Sequence, residues 1–268
     1  MPFQSAIPRL ASIRLHPIKA LDPVSVNEAR IGPNGGLELD RVWALYSADG
    51  RWVNGKRTAA MHLIRAAYAL DISSVTLTVP GDRRNIPMMT FAFPGDTDGA
   101  TEWFSMYFEQ TIQVRYTRDG FPDDGLATGP TIVSTASLEA VCEWFPGVTL
   151  DEARRRFRTT LEIEGVPAFW EDQLFAESEN SVVRFKIGEV AFEGSNPCAR
   201  CPVPSRNSHT GAADDGFQKR FSELRSTQLP SWAPADRFDH FYRFATNTRV
   251  PSTECGKLLR LGDPLFLP

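Results

Sequence analysis

The chain has 268 residues, a nearly balanced charge of 29 Lys and Arg against 33 Asp and Glu, and 42% hydrophobic residues. This composition is typical of a soluble globular protein and excludes a disordered chain. No apolar run approaches the roughly 18 to 20 residues of a membrane span, so we expect no association with a membrane. The mildly acidic total also argues against nucleic-acid binding. Because the first residues lack the apolar region of a secretory signal, we expect a cytoplasmic location.

Short apolar runs between 20 Pro and 19 Gly predict a mainly β architecture of the α+β type, with few helices. In chain order, we predict strands at 11–15, 43–47, 75–79 and 90–93, a helix at 101–109, a strand at 113–116, helices at 137–144 and 149–156, and strands at 160–163, 182–187 and 190–193. Gly188 and Glu189 form the expected tight turn between the last two strands.

Three segments carry more specific predictions. The helix at 101–109 places Trp103, Phe104, Tyr107 and Phe108 on one apolar face. The helix at 149–156 opens with a capping box, in which the Thr149 hydroxyl and the Glu152 carboxylate both bind free backbone N–H groups. Residues 204–234 are polar and weakly periodic, which predicts a long surface excursion. A composition shift at 121–125 suggests an N-terminal domain at 1–120 and a second domain at 121–268.

The strongest local motif is Cys198-Ala-Arg-Cys201, directly after a predicted strand. A structural zinc site is disfavoured because the chain has no second cysteine pair and no paired histidines. A thioredoxin-type dithiol is disfavoured because Pro202 and Pro204 oppose a following helix. Spacing alone leaves two interpretations open, a thiolate ligand for a soft metal or two ordinary buried thiols.

Cationic residues recur near the ends of predicted strands. They lie in the segments 16–19, 40–43, 55–57 and 156–160. Singly, each is more typical of a solvated surface charge. Together, guanidinium and ammonium groups converging on one cleft would hold an anionic cofactor, because the planar guanidinium suits phosphate and carboxylate oxygens.

An ordered set of segments extends over nearly the whole chain and resembles the MOSC family. The resemblance is greatest to its two-part members with an N-terminal β-barrel domain, which include the mitochondrial amidoxime reducing component and its bacterial relatives. The segments are His16-Pro-Ile-Lys19, Leu39-Asp-Arg-Val-Trp43, Phe157-Arg158, Cys198-Ala-Arg-Cys201, Thr210-Gly211 and Leu261-Gly-Asp-Pro-Leu265.

This resemblance implies a β-barrel fold that binds the molybdenum cofactor, a pyranopterin dithiolene with a phosphate tail. The second cysteine of the motif, Cys201, is then the molybdenum ligand, and a soft thiolate suits such a metal. The remaining cofactor contacts implied by the resemblance are Lys19, Arg41, Arg57, Ser134, Ser137, Arg158, Asn196, Arg200 and Thr210.

The chain also departs from the family pattern. Thr159 and Thr160 replace a Pro-Asn pair after Arg158, which removes an amide beside the cofactor. His209 stands in a segment where relatives carry an acidic residue. Asp172 keeps the position of an acidic residue near the metal. We therefore consider Asp172 and His209 as proton donors, with a capping or turn role as the alternative for Asp172.

The resemblance implies a molybdenum-dependent oxidoreductase that reduces N-hydroxylated small molecules such as amidoximes, hydroxylamines and N-hydroxylated bases. Its electrons would come from an external flavoprotein or ferredoxin-like partner, because the chain has neither a dinucleotide fingerprint nor cysteines spaced for an iron–sulfur cluster. A different class of function remains open, a molybdenum cofactor carrier or sulfur-transfer protein with a persulfide on Cys201 or Cys198. A degenerate barrel without cofactor is the third alternative.

Overall fold

The computed structural model of the protein describes residues 7–123, 125 and 127–267. Its strands are β1 (Arg9–Leu15), β2 (Val24–Val26), β3 (Glu28–Arg30), β4 (Trp43–Ser47), β5 (Trp52–Val53), β6 (Arg65–Tyr68), β7 (Ser74–Thr78), β8 (Met89–Ala92), β9 (Ile112–Tyr116), β10 (Ile132–Ser134), β11 (Leu161–Glu164), β12 (Val183–Ile187), β13 (Val190–Ala199), β14 (Arg243–Arg249), β15 (Leu258–Arg260) and β16 (Leu265–Phe266).

The α-helices in this part of the chain are α1 (Thr97–Phe108), α2 (Thr135–Trp144), α3 (Leu150–Phe157) and α4 (Phe217–Thr227). Short 3-10 helices cover Ala59–Leu63, Trp170–Leu174, Val203–Ser205, Ala235–Arg237 and Ser252–Glu254. The prediction of a mainly β protein with few helices is confirmed. Within the described ranges, no helix has both the length and the apolar character needed to cross a membrane.

The largest sheet has eight strands in the order β16-β12-β13-β14-β10-β11-β1-β2. Its pairs are antiparallel except for β10 and β11, which run parallel. Backbone hydrogen bonds from Leu10 N to Asp263 O at 2.9 Å and from Leu265 N to Pro8 O at 2.8 Å join β1 to the segment around β16. These bonds draw the two sides of the sheet together, as in a barrel. The N-terminal strands β1 and β2 therefore belong to the same sheet as the C-terminal strands.

The hairpin of β12 and β13 has the predicted two-residue turn, because Ile187 pairs with Val190. The strand β13 extends six residues beyond the predicted end and carries the first cysteine of the motif. Gly194 and Pro197 suggested an earlier end, but the ladder to β14 accommodates them through register shifts. An added Cβ at Gly194 would lie 1.6 Å from the carbonyl oxygen of Leu174, so only glycine fits at this position.

The helix α1 confirms the predicted aromatic face. Trp103 and Tyr107 are buried, and their rings stack with centroids 5.8 Å apart. The helix begins four residues earlier than predicted because Asp96 caps it, accepting a hydrogen bond from Gly99 N at 2.9 Å. Gly99 in the first turn weakened the helical signal of that segment.

The prediction of a surface excursion at 204–234 is wrong for α4. Phe217 and Phe221 on this helix are buried in an aromatic cluster with Phe157 of α3 and Phe244 of β14. The two residues are four positions apart, so they lie on one helical face. Polar residues between them lowered the mean hydropathy of the segment and concealed that face.

The capping box of α3 is only half formed. Thr149 accepts a hydrogen bond from Glu152 N at 3.2 Å, as predicted. The Glu152 carboxylate does not bind backbone N–H groups of its own helix, and it accepts hydrogen bonds from Arg156 Nε at 2.6 Å and from Ser208 N at 2.9 Å. This contact ties α3 to the loop that follows the cysteine motif.

Candidate functional site

A large cleft opens between the loops that follow β1, β5 and β13 and the C-terminal end of α3. Its volume is about 580 Å³, within the range of small-molecule sites, about 300–1,000 Å³. Of the residues that the structure describes, four aspartates line it together with nine basic residues, which are Lys19, Arg41, Lys56, Arg65, Arg155, Arg156, Arg158, Arg200 and Arg206. We name it the basic cleft, because this excess of positive charge attracts anions.

Lys19 follows β1 and holds one wall of the basic cleft together. Its ammonium group donates to the carbonyl oxygen of Phe121 at 2.9 Å and lies 2.9 Å from the carboxylate of Asp123. It also lies 3.7 Å from the centre of the Trp52 ring, a cation–π contact. Burial lowers the pKa of Lys19, while Asp123 opposes this effect. Lys19 therefore joins the loop after β9 to the strand β5.

The segment from His16 to Lys19 also positions Arg41. The backbone N–H of His16 donates to Asp40 Oδ1 at 2.7 Å, and Asp40 in turn accepts from the guanidinium of Arg41. Arg41 has a left-handed backbone with φ of 55°, a conformation that costs free energy for a non-glycine residue. Its Nε lies 3.6 Å from Asp123. Arg41 is thereby fixed at the cleft wall.

Arg158 is a partly buried cation in the wall of the cleft. It ends α3 in a left-handed conformation with φ of 53°, which turns the chain out of the helix at the cleft wall. Within the described part of the chain, its guanidinium has no hydrogen bond or ion pair. Burial and then repulsion from Arg41 lower the pKa of Arg158 to about 10, although Asp123, Asp22 and Asp40 partly offset this effect. An anion that entered the cleft would relieve this cost.

The cysteine motif lies at the end of β13 and in the loop after it. Cys198 and Cys201 are free thiols, and both are half-buried and line the cleft. The interpretation as two ordinary buried thiols therefore does not fit their position. Arg200 donates from Nη1 to the sulfur of Cys198 at 3.2 Å and from Nη2 to the carbonyl oxygen of Phe157. These contacts fix the motif against the end of α3.

His62 is the imidazole that lines the basic cleft among the described residues. It lies in the 3-10 helix Ala59–Leu63, and its Nε2 is 3.2 Å from the carbonyl oxygen of Gly55. Burial lowers the pKa of His62, and Arg158, Arg206 and Arg65 lower it further. At neutral pH the ring is therefore uncharged and donates from Nε2 to Gly55.

Comparison with protein families matches both parts of the chain. Residues 7–111 match the model of the MOSC N-terminal beta barrel domain, and residues 130–265 match the model of the MOSC domain. The chain belongs to the MOSC family. MOSC domains are generally associated with proteins that bind the molybdenum cofactor. The resemblance stated from the ordered motifs is thus confirmed.

No curated protein matches the chain. Among solved structures, one described as the crystal structure of a hypothetical protein has 11% identity and a TM-score of 0.38, with 98% of this chain and 69% of that chain covered. The YUAD protein from Bacillus subtilis has 10% identity and a TM-score of 0.37, with 97% of this chain and 94% of that chain covered.

The MOSC fold brings half of the predicted site residues into the basic cleft. Those that line it are Lys19, Arg41, Arg158, Asn196, Arg200 and Cys201. Asn196 is held by the Ser195 hydroxyl, which donates to its Oδ1 at 2.8 Å. The other predicted residues, which are Arg57, Ser134, Ser137, Asp172, His209 and Thr210, do not line the cleft.

Ser134 and Ser137 lie inside the MOSC domain and not at its cleft. Both are fully buried, and Ser134 caps α2 by accepting from Ser137 N at 3.1 Å. The Ser137 hydroxyl donates to the carboxylate of Glu171 at 3.0 Å. Because these hydroxyls satisfy the helix start and a buried carboxylate, the expectation that they contact a cofactor requires correction.

Asp172 also lies in the interior of the MOSC domain. Its carboxylate pairs with Arg225 of α4, and the two side chains are 3% and 1% exposed. The guanidinium of Arg225 lies over the ring of Phe169 at 4.1 Å. Asp172 thus neutralises a buried cation, which is inconsistent with the expected role as proton donor near a metal.

His209, Thr210 and Arg57 are exposed residues outside the cleft. His209 and Thr210 lie in a turn where their backbone N–H groups both donate to Asn207 Oδ1 at 3.0 Å. In the β5 loop, Lys56 lines the cleft in place of its neighbour Arg57. The expected contacts of all three residues with a cofactor are therefore not supported by their placement.

Sequence reasoning missed the carboxylate that organises one end of the cleft. Asp22 accepts hydrogen bonds from Arg65 Nη1 at 3.0 Å and from Arg155 Nη1 at 2.9 Å. It also accepts from the backbone N–H of Ala66 at 3.0 Å. The three elements concerned are far apart in sequence, so no local pattern could reveal the cluster. His62 was missed for the same reason, because nothing in its surrounding sequence distinguishes it.

Proposed function

We propose that this protein binds the molybdenum cofactor in the basic cleft and reduces N-hydroxylated small molecules with electrons from an external donor. The proposal combines family membership with the charge and volume of the cleft. The physiological setting that fits it is cytoplasmic, with a flavoprotein or a ferredoxin-like protein as the electron donor.

The observation that carries the proposal is the guanidinium of Arg158, which makes no hydrogen bond or ion pair with a described residue. It lines the cleft, and its charged form is disfavoured by burial and by Arg41. Nearby, Lys19 and Arg41 both lie close to the exposed carboxylate of Asp123, and Arg41 also pairs with Asp40. Such an arrangement is preorganised for a phosphate or another oxyanion, because charge-assisted hydrogen bonds replace repulsion when the anion binds.

The donor set of the cleft also fits the cofactor. Cys201 lines the cleft as a free thiol, and a thiolate is a suitable ligand for a metal already held by sulfur. In the ranges 7–123, 125 and 127–267, no group of three or more His, Cys, Asp or Glu side chains could hold a metal ion. A metal carried by its own organic scaffold needs only one thiolate from the protein. The bound cofactor would supply the two-electron chemistry.

The chain's own residues then have distinct tasks. Lys19, Arg41 and Arg158 would bind the anionic part of the cofactor, and Arg200 would hold the cysteine motif in place. Reduction of an N-hydroxyl group consumes two electrons and two protons and yields an N–H group and water. A proton donor at the cleft is therefore required in addition to the electron donor.

The activity is tested with protein produced in a host that makes the cofactor. We expect benzamidoxime to be reduced to benzamidine in the presence of an artificial electron donor, and we expect Cys201→Ser to abolish this turnover. Cys198→Ser provides a matched control, since Cys198 lies in the same motif. Loaded protein that transfers no electrons to benzamidoxime, to other amidoximes or to hydroxylamines would contradict the proposed activity.

One contact favours a second candidate function, a sulfur-transfer protein. The guanidinium of Arg200 lies 3.2 Å from the sulfur of Cys198, and a neighbouring cation stabilises a thiolate or a persulfide. Mass spectrometry of the metal-free protein distinguishes the two candidates. An adduct of one sulfur atom on Cys198 or Cys201 supports sulfur transfer, whereas unmodified thiols contradict it.

A further inference from the structure

His62 has no role in the proposed function, although its ring lies in the wall of the basic cleft. The hydrogen bond between Nε2 and the Gly55 carbonyl oxygen, 3.2 Å long, fixes one edge of the ring. An added Cβ at Gly55 would lie 2.9 Å from this nitrogen. The glycine therefore permits the close approach that holds the imidazole beside the cleft.

Three guanidinium groups from different elements line the cleft together with His62 and disfavour a charge on its ring. Arg65 begins β6, Arg158 ends α3, and Arg206 follows the 3-10 helix Val203–Ser205. Arg65 is compensated by Asp22 at 3.0 Å. Among the described residues, the guanidinium of Arg206 donates to the carbonyl oxygen of Gly211 at 2.8 Å, and neither Arg206 nor Arg158 makes an ion pair. The ring therefore faces a net positive charge in the ligand-free protein.

We propose that His62 takes up a proton when an oxyanion occupies the basic cleft. A bound anion cancels the positive field that keeps the imidazole neutral, so the charged imidazolium becomes favourable. Anion binding and protonation are then linked, and each strengthens the other.

The inference rests on the proposed function and deepens it. An imidazolium beside a bound oxyanion is a proton source at the cleft, where reduction of an N-hydroxyl group requires one. Asp172 is paired in the interior, and His209 is exposed outside the cleft. Neither residue is positioned for this task, whereas His62 is.

Calorimetry with sulfate tests the linkage on the cofactor-free protein. Sulfate stays a dianion from about pH 5.5 to about pH 8, so any proton taken up in that range belongs to the protein. Titrations in two buffers with different heats of ionisation give the number of protons. We expect the wild type to take up a fraction of a proton. Its affinity for sulfate should fall as the pH rises, about tenfold for each pKa unit by which sulfate raises the pKa of His62.

His62→Gln keeps a donor for the Gly55 carbonyl group and removes the titratable ring. We expect this variant to bind sulfate without proton uptake. His209→Gln is the matched control, because it removes an exposed imidazole outside the cleft, and it should retain the uptake. Sulfate binding without proton uptake in the wild type would overturn the inference, and so would uptake that persists in His62→Gln.

Two other outcomes of these experiments are also informative. If no sulfate binds at any pH, the anion-binding cleft itself fails, and the proposed function fails with it. If His62→Gln does not fold, NMR titration of the wild-type histidines replaces it. A rise with sulfate in the pKa of the imidazole assigned to His62, as distinct from His16, His209 and His240, supports the inference, and an unchanged pKa for His62 would overturn it.

Discussion

The substitution Arg158→Gln removes a partly buried cation that makes no ion pair with a described residue. Burial and Arg41 lower the pKa of Arg158 to about 10. The ordinary pKa of arginine is 12.5, and each pKa unit corresponds to about 1.4 kcal/mol. The charge on Arg158 therefore destabilises the folded protein by about 3 kcal/mol. A base whose pKa is lower in the folded state binds its proton less tightly there. The cost is therefore present at neutral pH and disappears only as the pH rises above about 10.

We expect Arg158→Gln to raise the free energy of unfolding of the cofactor-free protein by about 1–2 kcal/mol. The gain is smaller than the full electrostatic cost because the shorter side chain also loses packing contacts. The affinity for sulfate should fall at least about tenfold, since a charged hydrogen bond contributes about 1.5–3 kcal/mol. Greater stability together with weaker sulfate binding is expected when a residue contributes to ligand binding and destabilises the ligand-free fold.

Urea denaturation at neutral pH measures the stability, and calorimetry measures the sulfate affinity. The protein must come from a host that lacks the cofactor, because a bound ligand would add its own stabilisation. Arg57→Gln is the matched control, since Arg57 is exposed outside the cleft, and it should change neither quantity. A loss of stability in Arg158→Gln together with an unchanged sulfate affinity would refute the reasoning.

Three other predictions concern the interior. Arg225→Leu leaves Asp172 as an unpaired buried carboxylate and should lower the free energy of unfolding by about 3–5 kcal/mol, as measured by urea titration. A decrease of less than about 1 kcal/mol would contradict the buried ion pair. Gly194→Ala would place a Cβ 1.6 Å from the Leu174 carbonyl oxygen, so this variant should fail to fold. Circular dichroism and soluble yield measure this, and a variant that folds like the wild type would refute the close approach. Burial and then Asp172 raise the pKa of Glu171 to about 7. Because of this raised pKa, the protein loses stability as the pH rises from about 4.5 through about 7. Glu171→Gln should therefore stabilise the protein by about 3 kcal/mol near pH 8 and by little near pH 4.5. Equal effects at both pH values would contradict the raised pKa.

Local patterns predicted eight of the sixteen described strands and the aromatic face of α1, because alternation and helical spacing are properties of a few consecutive residues. They failed at α4, whose buried face consists of two phenylalanines and one arginine. The burial of Arg225 depends on Asp172 and Phe169, which are more than 50 positions earlier in the chain. Tertiary contacts of this kind override local polarity, and no local window contains them.

The candidate site was predictable where the cleft residues lie in ordered motifs. Lys19, Arg41, Arg158 and the cysteine pair were found in this way. Matching motifs do not reveal which way a side chain points, and this explains Ser134 and Ser137. Their position at the start of α2 suggested an anion site at a helix N-terminus, but the Ser134 side chain already caps that terminus by accepting from Ser137 N.

The part of the site that sequence did not predict consists of side chains brought together by the fold. Asp22 joins Arg65 and Arg155, which are 43 and 133 positions away. His62 reaches the cleft beside the turn at Gly55, and its pKa is lowered by burial and by cations from three separate elements. Such electrostatic clusters depend on distances in space, so they become visible only in the structure.

The measurement that tests the central claim most directly is the molybdenum and pterin content of protein purified from a host that makes the cofactor. Wild type, Cys201→Ser and Cys198→Ser are compared by elemental analysis and pterin fluorescence. We predict metal and pterin together in the wild type, strong loss of metal in Cys201→Ser, and retention in Cys198→Ser. Equal metal content in wild type and Cys201→Ser, or wild-type protein with neither metal nor pterin, would contradict the account.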